Sequence, residues 1–290
     1  METITAGAVR RCLPRRDPEG HKGDFGKVLC VCGSVGYTGA PIFASRAAVR
    51  TGAGLVFLGV PQSVWPVAAV KSDEAMPFPL PETADGKLSL LAEEPIRRRA
   101  AGCDAVLLGC GLGRDRQTDA LVQNLLNTEK PLVLDADGLN ALGGSTELLQ
   151  KRPAVTVLTP HEGEFLRLGG DLSRGRERAA AAFSQKYGVY LILKGHRTLI
   201  AAPDGRMAVN TTGNCGMAKG GSGDVLGGVI LSLLGQGLPP QEAVPLAVWL
   251  HGRAGDLCAE EIGEYGMTPS DLIARLPRVL QECEGRERTL

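Results

Sequence analysis

The chain has 290 residues, 43% hydrophobic and 22% charged, with 32 Lys plus Arg balanced by 32 Asp plus Glu. This is the composition of an ordinary globular protein with a sizeable core, which excludes a disordered chain. Zero formal net charge excludes a broad basic surface for nucleic acid, so a small-molecule partner is expected. Residues 1–20 carry charges throughout and lack the apolar centre of a signal peptide. No later stretch approaches the ~18 consecutive apolar residues of a membrane span, so no membrane partner and a cytoplasmic location are expected. Residues 1–20 are read as an extension or helix, and residues 1–290 as one domain, because no linker, repeat or shift in composition divides them.

Short apolar runs bounded by Gly and Pro alternate with helical patterns, the signature of βαβ units and a mostly parallel sheet. The predicted strands are 28–31, 55–60, 105–108, 132–135, 156–158 and 190–193. They are apolar almost throughout, as expected of strands covered on both faces. Helices are predicted at 41–50, 176–187, 224–234, 241–261 and 269–283, and a β-hairpin at 198–202 and 207–210 around the turn Pro203-Asp204-Gly205-Arg206.

Ligands of open parallel sheets collect at the carboxyl ends of strands, and here those ends are polar or rich in glycine. The first is followed by Gly33-Ser34-Val35-Gly36-Tyr37-Thr38-Gly39-Ala40, which lacks the G-x-G-x-x-G dinucleotide fingerprint. Gly109-Cys110-Gly111-Leu112-Gly113 follows the third and suits either close approach of a ligand or a turn of unusual φ. Asp135-Ala136-Asp137-Gly138-Leu139-Asn140 could bind hydrated Mg²⁺ or a ribose, and Asp137 could equally cap a short helix. Thr159-Pro160-His161-Glu162-Gly163-Glu164 stops a strand and opens a helix with an acidic first turn, where His161 suits a polar cap. Lys194-Gly195-His196-Arg197-Thr198 could present a cation and backbone amides to a nucleotide phosphate, or be simply solvated.

The most informative stretch is Ala218-Lys219-Gly220-Gly221-Ser222-Gly223-Asp224, followed by an apolar run to Leu234. Glycines at a helix N-terminus turn backbone N–H groups toward one point, which favours a phosphate. Asp224 adds a carboxylate in the first turn that could accept a proton, so the combination suggests phosphoryl transfer; a helix cap and a tight turn are the plainer reading. The eight cysteines, at 12, 30, 32, 103, 110, 215, 258 and 283, form no Cys-x-x-Cys pair and are too few for a disulfide framework, and Cys30 and Cys32, two apart on a predicted strand, are read as core residues.

Together, residues 21–27 (His-Lys-Gly-Asp-Phe-Gly-Lys), the Gly33 to Ala40 turn, Thr51-Gly52-Ala53-Gly54-Leu55-Val56, Asp135 to Asn140, Thr159 to Glu164 and Asn210 to Asp224 resemble the ADP/ATP-dependent NAD(P)H-hydrate dehydratases over nearly the whole chain. The resemblance implies an α/β fold, a ribokinase-like three-layer sandwich with a mostly parallel central sheet and a β-hairpin addition. It implies repair of the S epimer of hydrated NADH or NADPH, with ADP (or ATP) as co-substrate, Mg²⁺ as cofactor, and AMP and phosphate as products when ADP is used. Asp224 is then the catalytic base, with Gly221, Ser222 and Gly223 as an anion hole. Nucleotide contacts are implied at Lys194, Gly195, His196, Arg197, Thr198, Asn210 and Gly223, and hydrate contacts at Ala40, Gly111, Gly113, Asp137, Asn140, His161 and Asp224.

No residue is assigned to the metal, which nucleotide phosphates would hold, with Glu164 a candidate through water. A homotetramer is implied, and an NAD(P)H-hydrate epimerase on a separate chain, since the 20 residues before His21 leave no room for that domain. Many relatives carry Pro where this chain has Cys110 and Cys215. A ribokinase-like vitamin or sugar kinase and a non-catalytic nucleotide sensor are the alternatives.

Overall fold

A computed structural model of the chain describes residues 1–284. The apolar runs form strands of one ten-stranded sheet: β1 (Glu2–Thr3), β2 (Lys27–Val31), β3 (Leu55–Pro61), β4 (Met76–Leu80), β5 (Ala105–Leu108), β6 (Leu132–Leu134), β7 (Thr156–Leu158), β8 (Tyr190–Leu193), β9 (Leu199–Ala201) and β10 (Met207–Val209), in spatial order β1-β10-β9-β8-β7-β6-β5-β2-β3-β4. Pairing is parallel except where β9 meets β8 and β10. The expected hairpin is therefore present, and it forms a meander with β8 that completes one side of the sheet.

The helices are α1 (Ala6–Cys12), α2 (Gly39–Arg50), α3 (Trp65–Lys71), α4 (Glu93–Ala101), α5 (Arg116–Leu125), α6 (Asp137–Asn140), α7 (Glu162–Arg167), α8 (Arg176–Tyr187), α9 (Ser222–Gly235), α10 (Pro240–Ile262) and α11 (Pro269–Glu284). Because strand side chains alternate, each strand feeds two cores. Val28 and Cys30 of β2 pack with α2, α9, α10 and α11, whereas Leu29 and Val31 pack with α4, α5, α7 and α8. The result is the expected three-layer α/β sandwich.

The first layer is tight because its helices meet through small residues. A Cβ on Gly228 of α9 would collide with the Ala44 carbonyl and lie 2.9 Å from the Ala47 Cβ of α2. This close crossing fixes α9, and hence its N-terminus, over the ends of β5 and β6.

Two strands escaped the sequence reading. β4 (Met-Pro-Phe-Pro-Leu) contains two prolines, which argue against a strand; it survives at the outer edge of the sheet, where a missing N–H breaks no ladder on the open side. β1 pairs with β10 at the opposite edge, so residues 1–20 do more than extend the chain: Ile4 and Val9 are buried in the first core. Among the described residues no helix is long and apolar enough to cross a membrane.

Candidate active site

Register aligns the carboxyl ends of the parallel strands. Val31 pairs with Leu108, Leu108 with Leu134, and Leu134 with Leu158, so the chain leaves β2, β5, β6 and β7 at one level. A parallel bridge from His161 to Lys194 brings the end of β8 to the same edge. The loops there touch backbone to backbone: a Cβ on Gly138 would lie 3.0 Å from the Gly109 Cα, so both loops require glycine. Between them Ala136 is held at φ 50°, a region unfavourable for a residue with a side chain. Such strain is retained where surrounding structure imposes it, often at functional sites.

Asp224 is the third residue of α9 and points back at these loops. One ligand atom each from Asp224, Asp135 and Cys110 lie within 4.8 Å of one another. Burial first, and then the Asp135 charge, raise the Asp224 carboxyl to a pKa of about 7, while a hydrogen bond from the Cys110 thiol and the nearby Lys194 cation pull in the other direction. Lys194 Nζ donates to Asp135 Oδ1 at 2.9 Å and lies 3.7 Å from Glu164 Oε2. Burial opposes its charge, but the two carboxylates outweigh that and raise its pKa. A buried acid poised near neutrality beside a fixed cation is what a general base acting at ordinary pH requires.

Asp224 does not cap α9. The N-cap is Gly221 at φ 101°, without a side-chain cap. A Cβ there would strike the Phe43 ring at 2.7 Å. Of the proposed anion hole, Ser222 N–H is turned onto the Lys219 carbonyl at 3.2 Å, a correction to the sequence expectation. The N–H groups of Gly221 and Gly223 have no acceptor among the described residues and remain available. His251 Nε2–H donates to the Ser222 carbonyl at 2.9 Å; burial keeps this imidazole neutral, with a pKa down at about 4.

A cavity of about 680 Å³ opens beside Asp224, lined by the loop 194–198, by Asn210 to Cys215 and by Ser222 and Gly223. Lys194, Gly195, His196, Arg197, Thr198, Asn210 and Gly223 are thus brought together as expected. The Asn210 side chain, however, is spent on its own loop: Nδ2 donates to the Thr212 carbonyl at 3.1 Å and Oδ1 accepts from Thr212 Oγ1 at 3.0 Å. It shapes the wall through position. Asp256, which the sequence reading missed, accepts from Gly213 N–H at 3.0 Å and Asn214 Nδ2 at 3.2 Å and fixes the same loop.

The expected hydrate contacts lie on the other flank. A Cβ on Gly111 would lie 2.8 Å from the Ala40 Cβ, so the loop after β5 packs on the start of α2. Asp137 caps no helix with its side chain; its Oδ2 accepts from Gly113 N–H at 2.9 Å, and Oδ1 accepts from Asn140 Nδ2 at 3.3 Å. Asn140 Oδ1 in turn accepts from Arg167 Nε at 2.8 Å. His161 is the N-cap of α7 in a capping box with Glu164, and it also lines the cavity.

The donor set does not build a cage for Mg²⁺, which takes oxygen ligands. Cys110 contributes a soft thiol, and Asp135 is already paired with Lys194. Glu164 Oε2 accepts from the His161 N–H at 2.9 Å.

Comparison with known proteins places this geometry. The sequence profile described as NAD(P)H-hydrate dehydratase matches residues 28–278. The chain belongs to that dehydratase family. It is 46% identical over 292 aligned residues to the bifunctional NAD(P)H-hydrate repair enzyme Nnr of Moorella thermoacetica, covering 99% of this chain and 55% of that protein. It is 40% identical to the ADP-dependent (S)-NAD(P)H-hydrate dehydratase of Neisseria meningitidis serogroup B, covering 86% of this chain and 82% of that one. Its structure matches the ADP/ATP-dependent NAD(P)H-hydrate dehydratase of Bacillus subtilis, co-crystallised with ATP and Mg²⁺, at a TM-score of 0.84 and 34% identity, covering 98% of this chain and 99% of that one. The chain spans about half the length of the bifunctional relatives it matches. The ribokinase-like fold implied by the sequence is likewise shared with solved structures.

For a member of the dehydratase family, the residue least legible in the sequence is Cys110. It is fully buried with its sulfur within 4.8 Å of carboxylate oxygens of Asp224 and Asp135, and only the position of its loop at a strand end hinted at this.

Proposed function

We propose that the chain dehydrates the S epimer of hydrated NADH or NADPH, with ADP as phosphoryl donor and AMP and phosphate as products. The observation that carries this reading is the Asp224 carboxyl, raised by burial to about 7, next to Gly223 of the cavity wall and within 4.8 Å of Cys110 and Asp135 at the strand ends. Deprotonated Asp224 takes the proton of the hydrate's hydroxyl as that oxygen attacks the terminal phosphorus of the donor. The bond from phosphorus to the leaving nucleotide oxygen breaks, releasing AMP. Free N–H groups of Gly221 and Gly223, the N-terminus of α9 and Lys194 stabilise the charge that develops on the phosphoryl oxygens. The ring nitrogen's lone pair then expels phosphate, and loss of a proton from the adjacent ring carbon restores the dihydronicotinamide. Mg²⁺, held by the nucleotide's own phosphates and water, would supply further neutralisation.

The proposal extends to residues 1–290 acting as one dehydratase domain. All eight cysteines are free, which supports a reducing compartment and hence the cytoplasm. A homotetramer is part of the same reading; the exposed Val70, Trp65, Val67 and Met76 around α3 and β4 supply apolar surface for self-association.

The nearest competitor, a small-molecule kinase, shares the Asp224 element and differs in what it phosphorylates. Donor choice is tested by parallel steady-state assays on hydrated NADH, following the return of dihydronicotinamide absorbance. ADP should give the higher kcat/KM, and a value for ATP at least tenfold above that for ADP would reverse the assignment.

A further inference from the structure

A second groove, of about 560 Å³, adjoins the nucleotide cavity and shares His196 and Arg197 with it. It is strongly basic: Arg174, Arg176, Arg178 and Arg197 line it against one acid, Glu177. Arg176 is committed, with Nε 2.9 Å from Glu162 Oε1 and its NH₂ groups donating to the carbonyls of Lys194 and His196 at 3.2 Å. It therefore ties the loop after β8 to the start of α8 and makes a rigid floor. The side chains of Arg178 and Arg197, by contrast, form no hydrogen bond or ion pair among the described residues. Arg197 is also held at φ 59°, a conformation that a non-glycine residue adopts at a cost and that is characteristically kept at ligand sites. Cations without partners, gathered in a concave wall and fixed by strained backbone, are complementary to an anion.

The position of the groove identifies where that anion is attached. Phosphoryl transfer at Asp224 would put the donor's phosphates near Gly223 and Lys194, and from there the cavity wall runs through Gly195 to His196 and Arg197. The groove meets the cavity at those two residues, which line both. A group reaching it hangs from the ribose or base and not from the phosphate chain. Resting on the nucleotide assignment above, we infer that the groove binds a phosphate monoester carried on the ribose of an adenine nucleotide, so that ribose-phosphorylated nucleotides compete with ADP. NADPH, a product of the proposed reaction, carries such a group on its adenosine ribose, and the groove would give that product a competing grip on the donor site.

Calorimetric titration at one fixed ionic strength with AMP, adenosine 2′,5′-bisphosphate and adenosine 3′,5′-bisphosphate tests this. At least one bisphosphate should bind tenfold or more tightly than AMP, the size expected from added charge-assisted hydrogen bonds. The 2′ isomer winning identifies an NADPH-type ligand, and the 3′ isomer a nucleotide phosphorylated at the other hydroxyl; both support the groove. In the double variant Arg174→Ala/Arg178→Ala, which leaves the cavity beside Asp224 intact, the advantage should fall below threefold while AMP affinity stays within about twofold. Equal binding of AMP and both bisphosphates, or an advantage that survives in the variant, overturns the inference and leaves the nucleotide site standing. Failure of AMP itself to bind overturns both.

Discussion

Replacing Asp224 by Asn should lower kcat by about 10² to 10⁴, the usual contribution of a general base, while leaving nucleotide affinity nearly unchanged. The carboxamide keeps the shape, but it cannot take a proton. Stability should move in the opposite direction. The folded-state pKa is raised from 3.8 to about 7, so the contribution of this group is fully present below pH 3.8 and is lost as pH rises through 7. At pH 8 the parent holds a buried, partly uncompensated charge, and the variant should be more stable by up to about 4 kcal/mol at 1.36 kcal/mol per unit. The parent's kcat/KM should fall about tenfold per pH unit below pH 7. Thermal unfolding at pH 5 and pH 8, with saturating kinetics on the same samples, checks all of this. A variant with kcat within threefold of the parent and no gain in stability at pH 8 would remove Asp224 from the chemistry.

Lys194→Ala should weaken nucleotide binding by about 1.5 to 3 kcal/mol, roughly 10- to 150-fold in Kd, and weaken hydrate binding much less. It should also destabilise the fold by about 3 to 5 kcal/mol, because Asp135, only 1% exposed, loses its partner. Lys194→Ala combined with Asp135→Asn separates the two effects: the neutral pair should recover most of the stability and none of the nucleotide affinity. Calorimetry with each ligand and denaturant unfolding of single and double variants measure both. Equal losses for nucleotide and hydrate, or restored nucleotide affinity in the double variant, would place Lys194 outside the donor site.

Much of the sheet was legible because β5 and β8 are short apolar runs ended by Gly109 and Lys194 and β7 ends two residues before Pro160, and the boundaries of all three match the sequence reading. α9 was legible for the same reason: Gly221, Ser222 and Gly223 open it and an apolar run continues it. What escaped depends on partners distant in sequence. Nothing local marks Asp135 as the partner of Lys194, 59 residues away, or His251 as the group holding the Ser222 carbonyl. Asp137 was read as a helix cap or a ligand for metal or ribose, yet it holds Gly113, 24 residues earlier. Ser222 was read with its neighbours as an anion donor, but helix geometry turned its N–H onto Lys219. A sequence pattern specifies which groups reach the sheet edge; packing decides which of them stay free.

The most direct test of the account is the phosphorus balance of a single incubation. The protein, Mg²⁺, ADP and hydrated NADH are combined, and ³¹P NMR is recorded alongside the dihydronicotinamide absorbance. AMP, inorganic phosphate and NADH should appear together in equal amounts, and about 10² to 10⁴ times more slowly when the Asp224→Asn variant replaces the parent. Accumulation of a phosphorylated hydrate without NADH, or recovery of NADH without consumption of ADP, would contradict it.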